Sequence, residues 1–230
     1  MSADNIAINL STVRQRIIDR AQACGRNPDS VHLVAAAKTQ PVGIVRRAIE
    51  AGVDIVGENY IQEAQEKFAI LSAPSIRWHF IGHLQSNKAK YAVRLFELIH
   101  SVDSNKLAAE IDKYARKVGK IQQILVQVNI SRESSKSGIG QEKTLQLIRS
   151  ISSYSNIRVK GLMTMPPYFD APERARPYFA ALRRLRDQLQ QDLGIPLEDL
   201  SMGMTGDFEV AIEEGATLVR IGTAIFGARQ

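Results

Sequence analysis

Apolar residues recur along this chain in two alternating rhythms. Ile6, Leu10, Val13, Ile17 and Ala21 stand three and four apart, the spacing of one face of an amphipathic helix, and Asn27-Pro28 ends that segment. Val31 to Ala37 is then an apolar run too short for a typical helix, and it stops at Lys38 before Thr39-Gln40-Pro41, which predicts a buried strand with a polar tip. Pro41 suits the first turn of a helix through Val42, Val45, Ile49 and Ala51, and Gly52 suits its C-cap. Further strand-like runs lie at Val53 to Val56, Arg77 to Ile81, Leu98 to Val102, Ile124 to Val128, Val159 to Met163, Leu200 to Met202 and Leu218 to Ile221. With the first run they make eight. Helical periodicity fills the gaps, most plainly at Leu107, Ile111, Tyr114 and Val118 and from Phe179 to Leu193. A short helix is predicted from Asp207 to Glu214, closed by Gly215. Eight strands alternating with helices predict an α/β fold, a single (β/α)8 TIM barrel with an extra N-terminal helix. A doubly wound open sheet has the same periodicity and stays open as an alternative.

Composition changes this picture little. The 230 residues are 44% apolar and 23% charged, and no linker or low-complexity run divides them, so one domain over residues 1–230 is expected. The net charge of +6 permits a nucleic-acid or anionic-surface partner. The basic residues are dispersed, however, and the densest group, Arg174 to Arg186, lies on a predicted helix beside Glu173 and Asp187, which reads as a solvated face. Neither a nucleic-acid nor a membrane partner is expected. Cys24 is the only cysteine, and the N-terminus lacks the pattern of a secretory signal, so the expected location is cytoplasmic.

Candidate chemistry gathers at the predicted C-terminal strand ends, which in a barrel converge on the active face. Lys38 follows seven residues without a formal charge, where desolvation would release a free amine able to attack a carbonyl. A lysine that only snorkels into water fits that position equally well. Ser201-Met202-Gly203-Met204-Thr205-Gly206 and Gly222-Thr223 offer hydroxyls and approachable backbone amides after strands seven and eight, where barrels often bind phosphate, although tight turns also use such glycines. Arg220 shares that mouth if it points inward, as an anion or ring-nitrogen partner or in a structural ion pair. His79 and His83 straddle a strand end without an obvious third ligand, so no metal site is expected; His79 is read as core and His83 as a ring-facing or hydrogen-bonding group.

Six ordered segments carry a resemblance: Leu33 to Pro41 (LVAAAKTQP), Gly57 to Tyr60 (GENY), His79 to Lys88 (HFIGHLQSNK), Gly161 to Met165 (GLMTM), Leu200 to Glu209 (LSMGMTGDFE) and Val219 to Gly227 (VRIGTAIFG). With them the chain resembles the pyridoxal phosphate homeostasis proteins, the YggS or PROSC family, with Thr205 where many members have serine. The resemblance implies a barrel of the alanine racemase N-terminal type. It implies pyridoxal 5′-phosphate held as a Schiff base on Lys38, with Ser201, Gly222 and Thr223 at the phosphate. Gly203 and Thr205 would belong to the same phosphate loop, with Arg220 near the pyridine nitrogen and Asn59 and His83 beside the ring.

The same resemblance implies a role in vitamin B6 and amino-acid or keto-acid homeostasis without an established reaction. Related racemases take their second base from a C-terminal β-domain across a dimer, and an end at Gln230 leaves no length for one; a monomer without turnover is therefore expected. PLP-dependent apoenzymes or a regulatory protein are the expected partner classes. The alternatives are a PLP-dependent racemase or lyase of narrow specificity and, further off, a phosphosugar enzyme with Lys38 as carbonyl trap.

Overall fold

The computed structural model describes residues 3–71, 73–133 and 136–227. The elements run α1 (Ala3–Ala23), β1 (His32–Ala36), α2 (Val42–Glu50), β2 (Ile55–Glu58), α3 (Ile61–Leu71), β3 (Arg77–Phe80), α4 (Ala89–Leu95), β4 (Leu98–Val102) and α5 (Asn105–Lys117). They continue with β5 (Gln122–Gln127), α6 (Gln141–Ile151), β6 (Ile157–Met163), α7 (Arg176–Leu193), β7 (Asp199–Ser201), α8 (Phe208–Glu213), β8 (Leu218–Ile221) and α9 (Thr223–Phe226). All eight strands are parallel and consecutive, and β8 pairs with β1 to close the sheet. The open-sheet alternative is thereby excluded.

Alternate residues of each strand face opposite sides. Ala35, Val56, Phe80, Ile99, Val126, Leu162, Leu200 and Val219 belong to the large core between the strands and the helices. Val34, Ile55, Ile81, Leu98, Leu125, Met163 and Leu218 form the separate apolar filling inside the barrel. Gly57 is part of the same fit. A Cβ there would stand 2.8 Å from Val34 Cγ1 and 2.9 Å from Ile81 Cδ1. The extra helix α1 buries Ile6, Leu10, Val13, Ile17 and Ala21 against α2, α8 and α9. Its charged edge reaches α8 through Arg16–Glu209 and Arg20–Glu213 pairs. Two arginines of α7 are also paired across elements, Arg176 with Glu173, Glu213 and Glu214, and Arg183 with Glu214.

Strand β2 starts two residues later than the apolar run suggests. The Val53 N–H donates to Ala48 O at 2.9 Å, closing α2 beyond Gly52, whose φ of 106° only glycine adopts readily. Val53 is thus spent on the helix end, and the ladder begins at Ile55.

Two histidines lie among the apolar residues of the barrel interior. His79 and His100 are buried, with His100 Nε2 3.1 Å from His79 Nδ1. Burial holds the His79 imidazole down at about 3, with Arg77 and His32 acting in the same direction. His100 is pushed well below its ordinary value by burial, then by His79 and Arg220. Both rings are neutral at pH 7.

Against an ordinary His79 value of 6.5, a native value of about 3 means that the unfolded chain binds a proton the native chain refuses throughout that window. The stability His79 contributes is complete above pH 6.5 and lost as pH falls, at up to about 1.4 kcal/mol per pH unit. His79→Gln should flatten the slope of unfolding free energy against pH by that amount, read by urea denaturation across the window. An unchanged slope would show that the ring is protonated in the native state.

Candidate functional site

At the C-terminal ends of the strands lies a cavity of about 530 Å³. Lys38, Asn59, Thr205, Arg220, Gly222 and Thr223 all line it, together with Ala36, Asp207, Met165, Tyr168 and Phe169. Strand parity explains the place of Lys38: Val34 and Ala36 face the barrel interior, and Lys38 continues their row two residues on, half-buried at the mouth. The register of β1 on β8 sets Val34 opposite Arg220 and Ala35 opposite Ile221, so the last turns of both strands face one opening.

Arg220 forms the floor. It is 4% exposed, and its Nη2 donates to Thr164 O at 2.9 Å while Nη1 donates to Ser201 Oγ. Burial lowers its pKa to about 10, against the pull of Asp207, which leaves the guanidinium protonated at neutral pH. Ser201 Oγ lies 2.9 Å from His100 Nδ1. Ser201 Oγ accepts from the arginine and shares one further proton with His100 Nδ1, and His100 Nε2 shares the next with His79 Nδ1. His79 Nε2 ends the chain, buried and without a partner among the described residues. Neutral rings make these contacts without setting a second cation beside Arg220, which ties the suppressed histidine basicity to the anchoring of Arg220.

Thr205 Oγ1 accepts from the Ala224 N–H at 3.4 Å and links the loop after β7 to the turn after β8. Asp207 Oδ1 accepts from the Met204 N–H at 2.7 Å and shapes the same loop. Its carboxyl is raised above the usual range by burial, with the Met204 N–H and Arg220 opposing.

Three predicted site residues do not line the cavity. Ser201 is fully buried beneath Arg220 and reaches the mouth only through it. Gly203 is a packing position: at φ 91° its Cβ would stand 2.6 Å from Ala211 Cβ, so glycine lets the loop close onto α8. His83 is exposed, 3.2 Å from Ser137 Oγ, in a different surface cleft with Asp103 and Lys106. Strand β3 ends at Phe80, and the chain turns outward where Gly82 lies against the Asn59 backbone, too close for any Cβ. His83 therefore leaves the inward row of His79 and Ile81.

Sequence reasoning overlooked the apolar wall. Met165, Pro167, Tyr168 and Phe169 come from one loop after β6, and the signal available was an aromatic pair behind two prolines. Arg174 lies over the Phe169 ring at 4.9 Å, and Tyr178 packs beside it.

The cavity suits a flat, polar-edged anion. Asn59 Oδ1 is buried at its wall without a partner among the described residues, an unmet polar atom that a ligand can satisfy. Gly222 leaves open a space that a Cβ would fill, 3.3 Å from Ala36 O. An amine, a fixed cation and loop amides thus surround one space. The described residues contain no group of three or more His, Cys, Asp or Glu able to hold a metal ion.

Comparison with known proteins agrees with this architecture. The model of the alanine racemase N-terminal domain family matches residues 3–230. A pyridoxal phosphate homeostasis protein of Aquifex aeolicus is 45% identical over 226 residues, 98% of this chain and 99% of that protein. The protein of the same name from Pseudomonas aeruginosa is 45% identical over 224 residues, 97% of this chain and 96% of the other. Among solved structures, PipY of Synechococcus elongatus PCC7942, with PLP bound, superposes with a TM-score of 0.85 at 35% identity, covering 96% of this chain and all of that one. With near-complete coverage by sequence and by fold, this chain belongs to the family of pyridoxal phosphate homeostasis proteins, built on the alanine racemase N-terminal domain.

Proposed function

We propose that this protein binds pyridoxal 5′-phosphate in the barrel-mouth cavity, holds it as a Schiff base on Lys38, and serves PLP homeostasis as a single-domain carrier without catalytic turnover. The observation that carries this reading is the convergence of Lys38, Asn59, Thr205, Arg220, Gly222 and Thr223 on one cavity. The names of the relatives and the PLP bound to PipY support the same cofactor. When bound, the cofactor supplies a reactive aldehyde and an electron sink.

The protein's own residues then divide the work. Lys38 provides the amine. The loops bearing Thr205, Gly222 and Thr223 receive the phosphate through hydroxyl and backbone N–H groups. Arg220 would serve the pyridine nitrogen as a donor that cannot readily accept a proton, which would keep that nitrogen largely unprotonated and weaken the ring as an electron sink. Ser201 acts at one remove, by fixing Arg220. Asn59 would supply a polar partner for the ring, and the Tyr168–Phe169 wall an apolar one. Gly203 keeps the loop in place, and His83 belongs to the outer surface.

The lone Cys24 supports a reducing, cytoplasmic setting. No described helix is long and apolar enough to cross a membrane. We take the functional unit as a monomer, with PLP-dependent apoenzymes or a regulatory protein as the partner classes, because a homeostatic carrier must pass its cargo on.

Borohydride treatment of PLP-loaded protein should fix one pyridoxyl group on Lys38, located by peptide mass mapping; a label confined to other lysines would refute the linkage. Lys38→Ala should lose the visible band of the linked cofactor while retaining some PLP noncovalently. Pyridoxal without its phosphate should bind at least about tenfold more weakly, the worth of one charge-assisted hydrogen bond. Equal affinities at the same pH and salt would reject the phosphate cradle. Loaded protein incubated with both enantiomers of the common amino acids should show no sustained α-proton exchange, racemisation or keto-acid formation. Multiple turnovers that disappear in Lys38→Ala would instead establish a racemase or lyase of narrow specificity.

A further inference from the structure

Behind Lys38, on the side away from the cavity, lies a charge cluster that the cofactor site does not use. Lys67 of α3 is only 4% exposed and Glu58, at the end of β2, is fully buried. Lys67 Nζ donates to Glu58 Oε1 at 2.6 Å and to Glu63 Oε2 at 3.4 Å. Burial raises the Glu58 carboxyl above its ordinary range, with Lys67 opposing, and Glu58 Oε2 has no partner among the described residues. An apolar pair would fill the gap between α3 and the strands at less desolvation cost. The charged groups do something that an apolar pair cannot.

Their remaining hydrogen bonds go to the backbone on either side of Lys38. Lys67 Nζ donates to Ala37 O at 2.8 Å, and the Thr39 N–H donates to Glu63 Oε2 at 2.8 Å. Ala37 O belongs to the peptide plane entering Lys38, and the Thr39 N–H belongs to the plane leaving it. Peptide units are rigid, so φ and ψ of Lys38 are the rotations that relate these two planes. Thr39 has φ 63°, a left-handed conformation that a β-branched residue adopts only when its surroundings impose it. Its Oγ1 also donates to Lys38 O at 2.6 Å.

We infer that Glu63 and Lys67 are positioning residues for Lys38: by pinning the two peptide planes that flank its Cα, they set the direction in which its side chain enters the cavity. The inference rests on the proposed role of Lys38 as the amine that takes the cofactor. Neither residue lines the cavity, and both act through the backbone.

Glu63 provides the cleaner test, because its side chain is one-third exposed and its loss leaves no buried charge unpaired within a closed core. In ligand-free protein, Glu63→Ala should raise amide hydrogen exchange at Thr39 about tenfold, and Glu63→Gln, which keeps an acceptor oxygen, should restore it. With pyridoxal 5′-phosphate added, the rate at which borohydride-fixable label appears on Lys38 should fall about tenfold in Glu63→Ala and recover in Glu63→Gln. In a Lys38→Ala background, Glu63→Ala should leave noncovalent retention of pyridoxal 5′-phosphate unchanged. The double variant Lys67→Met/Glu58→Gln, which avoids an unpaired buried charge, should slow labelling in the same way.

An undiminished labelling rate in Glu63→Ala, despite faster Thr39 exchange, would overturn the positioning role. So would an equal loss of retention in the Lys38→Ala background, which would mark a general effect on the cavity. Wild-type protein that takes no label on Lys38 overturns the linkage itself and the purpose of the pin, a result distinct from both.

Discussion

Parallel pairing of β8 with β1 joins the two ends of the sheet, and its register, Val34 opposite Arg220, governs most of what the barrel mouth contains. A parallel ladder with a two-residue side-chain period allows no free adjustment, since a slip of one residue would turn every inward side chain outward. With this register, Lys38 two positions beyond Ala36 and Gly222 two positions beyond Arg220 rise at neighbouring strand ends. The amine, the cation and the loop amides therefore share one cavity although they come from opposite ends of the chain.

Placing a guanidinium in that interior carries an electrostatic cost that the fold meets with acceptors. Thr164 O and Ser201 Oγ accept hydrogen bonds from Arg220, and Ser201 Oγ is in turn hydrogen-bonded to His100, one of a pair of histidines whose burial keeps them neutral. A charged His100 would place a second cation next to Arg220. The low basicity of the histidines and the fixed direction of the arginine are thus two aspects of one hydrogen-bonded chain. The Lys67–Glu58–Glu63 cluster applies a similar solution on the outer side of β1, with buried charges committed to backbone groups rather than to solvent.

Rigidity around the mouth has further local causes. The loop after β7 closes onto α8 only because Gly203 has no Cβ, and α8 is held from outside by Arg16 and Arg20 of α1 and by Arg26 just beyond it, which donates to Ile212 O. The apolar wall of Met165, Tyr168 and Phe169 differs in kind. Tyr168 is 86% exposed and Met165 38%, so this part of the cavity lining remains in contact with water.

Hydrophobic periodicity by itself determined the eight strand–helix alternations, the amphipathic α1 and the position of Lys38 at the polar tip of a buried run, because periods of 2 and 3.6 are written locally in the chain. The ordered segments around Lys38, Ser201 and Arg220 also made the family legible. Other features depended on the tertiary structure. Closure of the sheet, the outward turn that takes His83 away from the cavity, the burial of Ser201 beneath Arg220 and the capture of Val53 by the end of α2 all depend on which distant backbone groups pair. So do the aromatic wall after β6 and the reach of Lys67 and Glu63 to the peptides beside Lys38. A local pattern states which face of an element is apolar, but the identity of the groups that meet is set by register and closure between strands far apart in sequence.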